Sequence, residues 1–129
     1  MAWNPKPQEI ESLLRASRED RYKYFLNHAC DSQKVVGLYH EGWAMLGDSD
    51  GGLMLPIWPH EIYAEKFKNA EWTDYQPKEI SIDSFMSEWI PDMKSKGINP
   101  AIFPISSGNS IIVGLEDLEA NLTYELRKY

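Results

Sequence analysis

The sequence predicts an α+β domain: a mostly antiparallel sheet, made of a β-meander plus a C-terminal hairpin, with helices packed on it in two layers. Three observations lead there. Apolar stripes at helical spacing stand near both ends, short β-rich runs with turn-like separators fill the middle, and connections are short throughout. Hydrophobic residues make up 43% of the 129 and include 5 Trp, 7 Tyr and 4 Phe, enough to fill a core. One domain over 1–129 is expected, since no repeat or low-complexity tract divides the chain.

Asn4-Pro5 and Pro7 suit a helix start, and Ile10, Leu13 and Leu14 recur at helical spacing for a first helix. Ser17 with Asp20 resembles a capping box, and Tyr22, Phe25, Leu26 and Ala29 form one stripe, which predicts a second helix over about 18–30. After Lys34 the runs at 35–39, 43–46 and 53–58 are separated by "HEG" (40–42) and "GDSDGG" (47–52), as in a three-stranded meander. Pro59 then opens a helix whose Tyr63, Ala64 and Phe67 face the sheet. Ile80 and Ile82 predict a brief edge strand, and Asp83 caps a helix bearing Phe85, Met86, Trp89, Ile90 and Met93. Pro91 should break or kink that helix, and Gly97 should end it. Two strands at 101–105 and 110–113 flank "SSGN". A final helix follows, with Leu115, Leu118, Leu122 and Leu126 on one face and Glu116 and Asp117 in its first turn.

The formal charge of -7 is concentrated. Residues 35–93 hold 3 Lys+Arg against 11 Asp+Glu, whereas the segments on either side are close to neutral. Phosphate neutralisation needs clustered cations, so no nucleic acid and no anionic membrane are expected as partners. An acidic central face, with Asp48 and Asp50 as candidate partner-binding residues, suits a basic protein partner, and a homo-oligomer is the other assembly considered. The start "MAWNPKPQEI" lacks the basic flank and apolar run of a signal peptide, no stretch has the length of a membrane span, and Cys30 has no second cysteine to bridge. A cytoplasmic location is the expectation.

The runs "VVGLYHEGWAMLGDSDGGLMLPIWPHEIYAEKF" and "WTDYQPKEISIDSFMSEWIPDMKSKGINPAIFPIS" resemble the family of small bacterial proteins called domain of unknown function 2750. The resemblance spans roughly residues 20–122. It rests on Trp43 to Leu46, the "LPIWP" of residues 55–59 followed by Tyr63-Ala64, the Trp89 region, and Phe103-Pro104. It implies no catalytic residue. Residues 53–67 also resemble the strand-to-helix unit of SseB-like regulators of type III secretion.

No motif specifies a reaction. His28, Cys30, His40 and His60 are possible metal ligands but lack any zinc spacing, and "DSDGG" departs from the EF-hand pattern at Gly52, Leu53 and Pro59, so no metal or other cofactor is expected. Cys30 lies near a helix end, where the dipole disfavours a thiolate, and Ser106, Ser107 and Ser110 sit in a hairpin loop without a nucleophile elbow. The best local candidate is the strand-to-helix junction at Trp58, His60, Glu61 and Tyr63, with Trp72 in the following loop. Free N–H groups there could receive an anion, and Trp58 could wall a pocket. The same residues also read as a packed corner, with Trp58 in the core and Glu61 already using the favourable dipole position. The leading expectation is a non-enzymatic interaction or regulatory protein of the adaptor or immunity kind, using the acidic face. The alternatives are a small-molecule binding module, or an enzyme using His60 and Glu61, at that junction.

Overall fold

The computed structural model describes residues 3–47, 50–68, 72–106 and 111–129. Element order is α1 (Pro7–Leu14), α2 (Arg18–Ser32), β1 (Lys34–Tyr39), β2 (Leu46–Gly47), β3 (Leu53–Ile57), α3 (Glu61–Phe67), β4 (Gln76–Ser81), α4 (Ile82–Ser84), a π-helical turn (Phe85–Trp89), α5 (Ile90–Lys96), β5 (Asn99–Ile102), β6 (Ile111–Ile112) and α6 (Leu115–Leu126). This is the predicted α+β class with mostly antiparallel strands.

Local chemistry accounts for most element ends. The Ser17 hydroxyl accepts from Asp20 N–H at 3.1 Å and starts α2. Gly97 takes φ +69° and ends α5. The helix after β4 is capped by Ser81, which accepts from Ser84 N–H at 3.1 Å, rather than by Asp83. Ser81 wins because β4 runs to that residue and the helix turns immediately after it.

The strand pairing departs from a simple meander. β1 pairs along its whole length with β4 in antiparallel register, from Lys34 opposite Ser81 to Tyr39 opposite Gln76. In the second sheet β2 and β3 are antiparallel, β3 and β5 parallel, and β5 and β6 antiparallel, so the C-terminal hairpin forms as expected. The run at 43–46 reaches β1 through one bridge, Tyr39 with Trp43. Pro56 gives a physical reason for the divided edge. Along β3, residues 53 and 54 pair with β2, and Trp58 pairs with Val36 of β1; Pro56, which has no N–H to offer, stands in the interval.

Trp58 joins the two sheets. Its backbone exchanges both hydrogen bonds with Val36, at 2.8 and 2.9 Å, and its indole Nε1–H donates to the Pro104 carbonyl at 2.9 Å. The ring is 0% exposed and packs against Phe67. Pro104 is brought there by Phe103, whose N–H donates to Ile57 C=O at 2.8 Å and whose φ of +49° is left-handed. That conformation strains a residue bearing a Cβ, and full burial of the Phe103 ring against Tyr24 and Tyr63 offsets it. α2 packs on β1 and α6, and α3 on β1 and β4, around one buried cluster that includes Phe25, Leu38, Ile57, Phe85, Ile102 and Leu118.

Trp58→Phe is expected to destabilise the protein by about 2–4 kcal/mol, from lost volume and an orphaned Pro104 carbonyl. Urea denaturation measures this, and Trp72→Phe, at a half-buried turn position, serves as the near-neutral comparison.

Candidate functional site

The junction that stood out in the sequence is a closed corner. Trp58 and Tyr63 are buried at 0% and 1% exposure, and His60, at 8%, caps α3. The His60 Nδ1 accepts from Ile62 N–H at 3.1 Å, and its Nε2 lies 2.9 Å from the Trp3 carbonyl. A nitrogen facing an N–H must be bare and one facing a carbonyl must carry hydrogen, so His60 is the neutral Nε2–H tautomer. Burial holds its pKa below the usual histidine value, against the Trp3 carbonyl and Glu61, which favour the cation. Both ring nitrogens are already used. A cleft of about 290 Å³ outside the corner is lined by Asn4, Pro5, Ile10, His60, Glu61, Ile62 and Glu65, and Trp58 and Tyr63 lie sealed behind it.

Beneath the N-terminal segment is a polar cluster drawn from α1, α2 and α3. The Tyr24 hydroxyl donates to Glu9 Oε2, and Tyr63 Oη stands 2.9 Å from Tyr24 Oη. Since Tyr24 spends its only hydrogen on the acceptor-only carboxylate, Tyr63 donates to Tyr24. Burial raises both phenols, Tyr63 to about 12, and Tyr24 is raised further by its bond to Glu9. Neither ionises near neutral pH. The other Glu9 oxygen accepts from Lys6 N–H at 3.4 Å, so one carboxylate ties the start of α1 to α2.

The remaining sequence candidates are scattered. Trp72 is half-buried and makes its ring contact with Tyr75. Asp50 is exposed in the turn before β3, and Asp48, with Ser107 and Ser110, lies outside the described residues. Cys30 is fully buried, and desolvation pushes its thiol up to about 11, as befits a packing residue. Among the described residues no group of three or more His, Cys, Asp or Glu side chains is placed to hold a metal ion.

A second cleft, not singled out from the sequence, lies between the second sheet and the helix that follows β4. This cleft, of about 530 Å³, is lined by Trp43, Met45, Leu55, Trp89, Met93 and Ile98, with Glu88, Asp92 and Lys96 at its edge. The two half-buried indoles meet edge to face at 4.9 Å. Leu53 is 49% exposed and shares a strand face with Leu55, so it prolongs the apolar wall. Two features place the tryptophans. Gly37 lies under Trp43: a Cβ there would stand 3.0 Å from Trp43 Cε3 and Cζ3. The π turn places Trp89. Phe85 bonds forward to Ile90, five residues on, so Phe85, Ile90 and Met93 share the buried face, and Trp89, which an α-helix would put below Phe85, is turned to the margin. Pro91 falls in the first turn after this widened ring, which absorbs the kink expected from it. The i, i+3, i+4 stripe could not reveal Trp89's displacement, although the Pro91 disruption was its sign.

A family model described as "Protein of unknown function (DUF2750)" matches residues 22–122. The chain belongs to the DUF2750 family. No curated protein and no solved structure matches it. In this DUF2750 chain the Trp43 and Trp89 cleft lies wholly inside the matched region, whereas Trp3 and Glu9 precede it.

Two outcomes are expected from this geometry. Gly37→Ala should displace the Trp43 ring and cost about 1–3 kcal/mol, visible as altered near-ultraviolet dichroism of the Trp43 and Trp89 pair together with a lower denaturation midpoint. At pH 7.5, His60→Ala should lose about 0.5–2 kcal/mol with the α3 cap, and His60→Asn, which retains a capping oxygen, should recover most of it.

Proposed function

We propose that this DUF2750 protein is a non-enzymatic protein-binding domain of an adaptor or regulatory kind, whose docking surface is the Trp43 and Trp89 cleft. The observation that carries the reading is an open apolar cleft, floored by tryptophan and methionine and edged by acidic side chains. Half-buried tryptophans that are already positioned bind at a low ordering cost, and their burial dominates interface energy. The occupant is a segment of a basic protein partner, with an apolar anchor for the cleft and Lys or Arg beside it. Glu88 makes no ion pair among the described residues and is open to such a cation; Asp92 holds Lys96 at 3.0 Å across an exposed pair that a partner can exchange cheaply. The net excess of acid over residues 35–93, including Asp50 near Leu53, supports steering of that partner, and the buried single thiol accords with a cytosolic setting.

A photo-crosslinking residue at position 53, introduced in the native host, tests the proposal. It should capture one protein repeatedly, the same residue at position 124 should not, and Trp89→Ala or Glu88→Lys should abolish capture. With the purified pair, Glu88→Lys should slow association roughly 3- to 10-fold at low salt, a difference that shrinks as salt is raised. Capture that is equal from position 124, or unaffected by both substitutions, would overturn it.

A further inference from the structure

Trp3, in the segment ahead of α1, meets the rings of two histidines and a tyrosine. The Trp3 ring lies flat on His28, with centroids 4.2 Å apart and planes 10° apart, and meets His60 edge-on at 5.0 Å and Tyr24 at 5.9 Å. Its carbonyl takes the His60 Nε2 hydrogen. We propose that this segment is a latch released by acid: protonation of His60 undocks Trp3 and uncovers the face formed by Tyr24, His28 and Tyr63. This is independent of any partner at the Trp43 cleft.

The geometry makes His60 sensitive to a single proton. Its neutral form serves two demands at once, accepting from Ile62 N–H and donating to Trp3 C=O. The imidazolium carries hydrogen on both nitrogens, so a donor faces the Ile62 N–H whichever way the ring is flipped. The ring must leave the cap, and Trp3 loses its hydrogen bond and its edge contact. His28 behaves differently. Among the described residues it makes no ring hydrogen bond that protonation would break, and a cation stacked on an indole still attracts it, so His28 is not the switch.

The charges facing these groups fix the direction. Around His60, Glu61 on α3 and Glu79 on β4 favour the cation, while Lys34 on β1, which pairs with Glu79 at 2.6 Å, opposes it. Around His28, Glu9 on α1 and Asp31 on α2 favour the cation. Desolvation outweighs these and holds both imidazoles below 6.5 while the latch is closed. Tyr24 and Tyr63 stay neutral throughout. A histidine depressed by docking contributes fully above its free value of 6.5, and that contribution is lost as pH falls toward the docked value. Docking weakens about tenfold for each pH unit between the two.

Nuclear magnetic resonance of the full chain across this range tests the latch, following the His60 ring nitrogens, the Trp3 indole N–H and amide exchange over residues 3–10. The Trp3 signal should move toward that of free tryptophan with the midpoint of His60, below 6.5, while Trp43 and Trp58 hold their positions. His60→Asn should abolish the transition and His28→Gln should keep it. If His60→Asn fails to fold, the wild-type coincidence of the two midpoints, together with His28→Gln, decides the matter. Trp3 remaining docked beside a protonated His60, or a transition lost in His28→Gln, would overturn the proposal.

Discussion

The architecture depends on one residue that is bound in three directions. Trp58 exchanges two backbone hydrogen bonds with β1 and sends its indole N–H to the Pro104 carbonyl, so the end of β3 is tied to the other sheet and to the chain leaving β5. Each sheet is small: one has two strands, and two of the other's four strands have only two residues each. Because all three bonds are buried, the cost of breaking one is a desolvated polar group, which is larger than the bond's own contribution. The corner that follows inherits this rigidity. His60 and Tyr63 are held where they can receive the N-terminal segment, His60 satisfied by Ile62 N–H and the Trp3 carbonyl and Tyr63 by the Tyr24 hydroxyl.

The Trp43 and Trp89 cleft is built differently. Its position depends on groups that are absent: the missing Cβ of Gly37 beneath one indole, and the missing N–H of Pro91 after the widened helical turn beside the other. Apolar surface left open in this way is usually covered by something, and the acidic edge restricts what can cover it. The corner and the cleft are thus opposites, one consuming its hydrogen-bonding capacity internally and the other leaving apolar area open.

Much of the fold was legible in the sequence because local rules governed it. Ser17, Gly97, the stripe on α6 and the element order all follow from capping, backbone conformation and periodicity. Pairing was less accessible. That β1 would carry β4, far along the chain, on one edge and Trp58 with the run at 43–46 on the other depends on residues outside β1, and no pattern within β1 announces it. At the candidate site, the junction at Trp58 and His60 was found, but burial decides its character, and burial is a property of the assembled chain. Trp3 shows the limit most clearly: it lies against two histidines distant in sequence, one within α2 and one capping α3. Trp89 was read only as one of the apolar residues of its helix; which way it faces depends on the widened turn, because periodicity assumes 3.6 residues in every turn and one turn here holds an extra residue.

The widened turn also sets how this helix answers to a change in length. Because the ring at 85–90 already holds one residue more than an α-helical turn, losing Met86 or Ser87 would close it into an ordinary turn and leave Phe85, Ile90 and Met93 on one face, four and seven residues along. Closing the ring without losing a residue would instead rotate everything downstream by about 100°, bringing Trp89 under Phe85 and turning Ile90 toward water. The turn is slack held inside a helix: it takes up a residue that a regular helix could accept only by turning its far end.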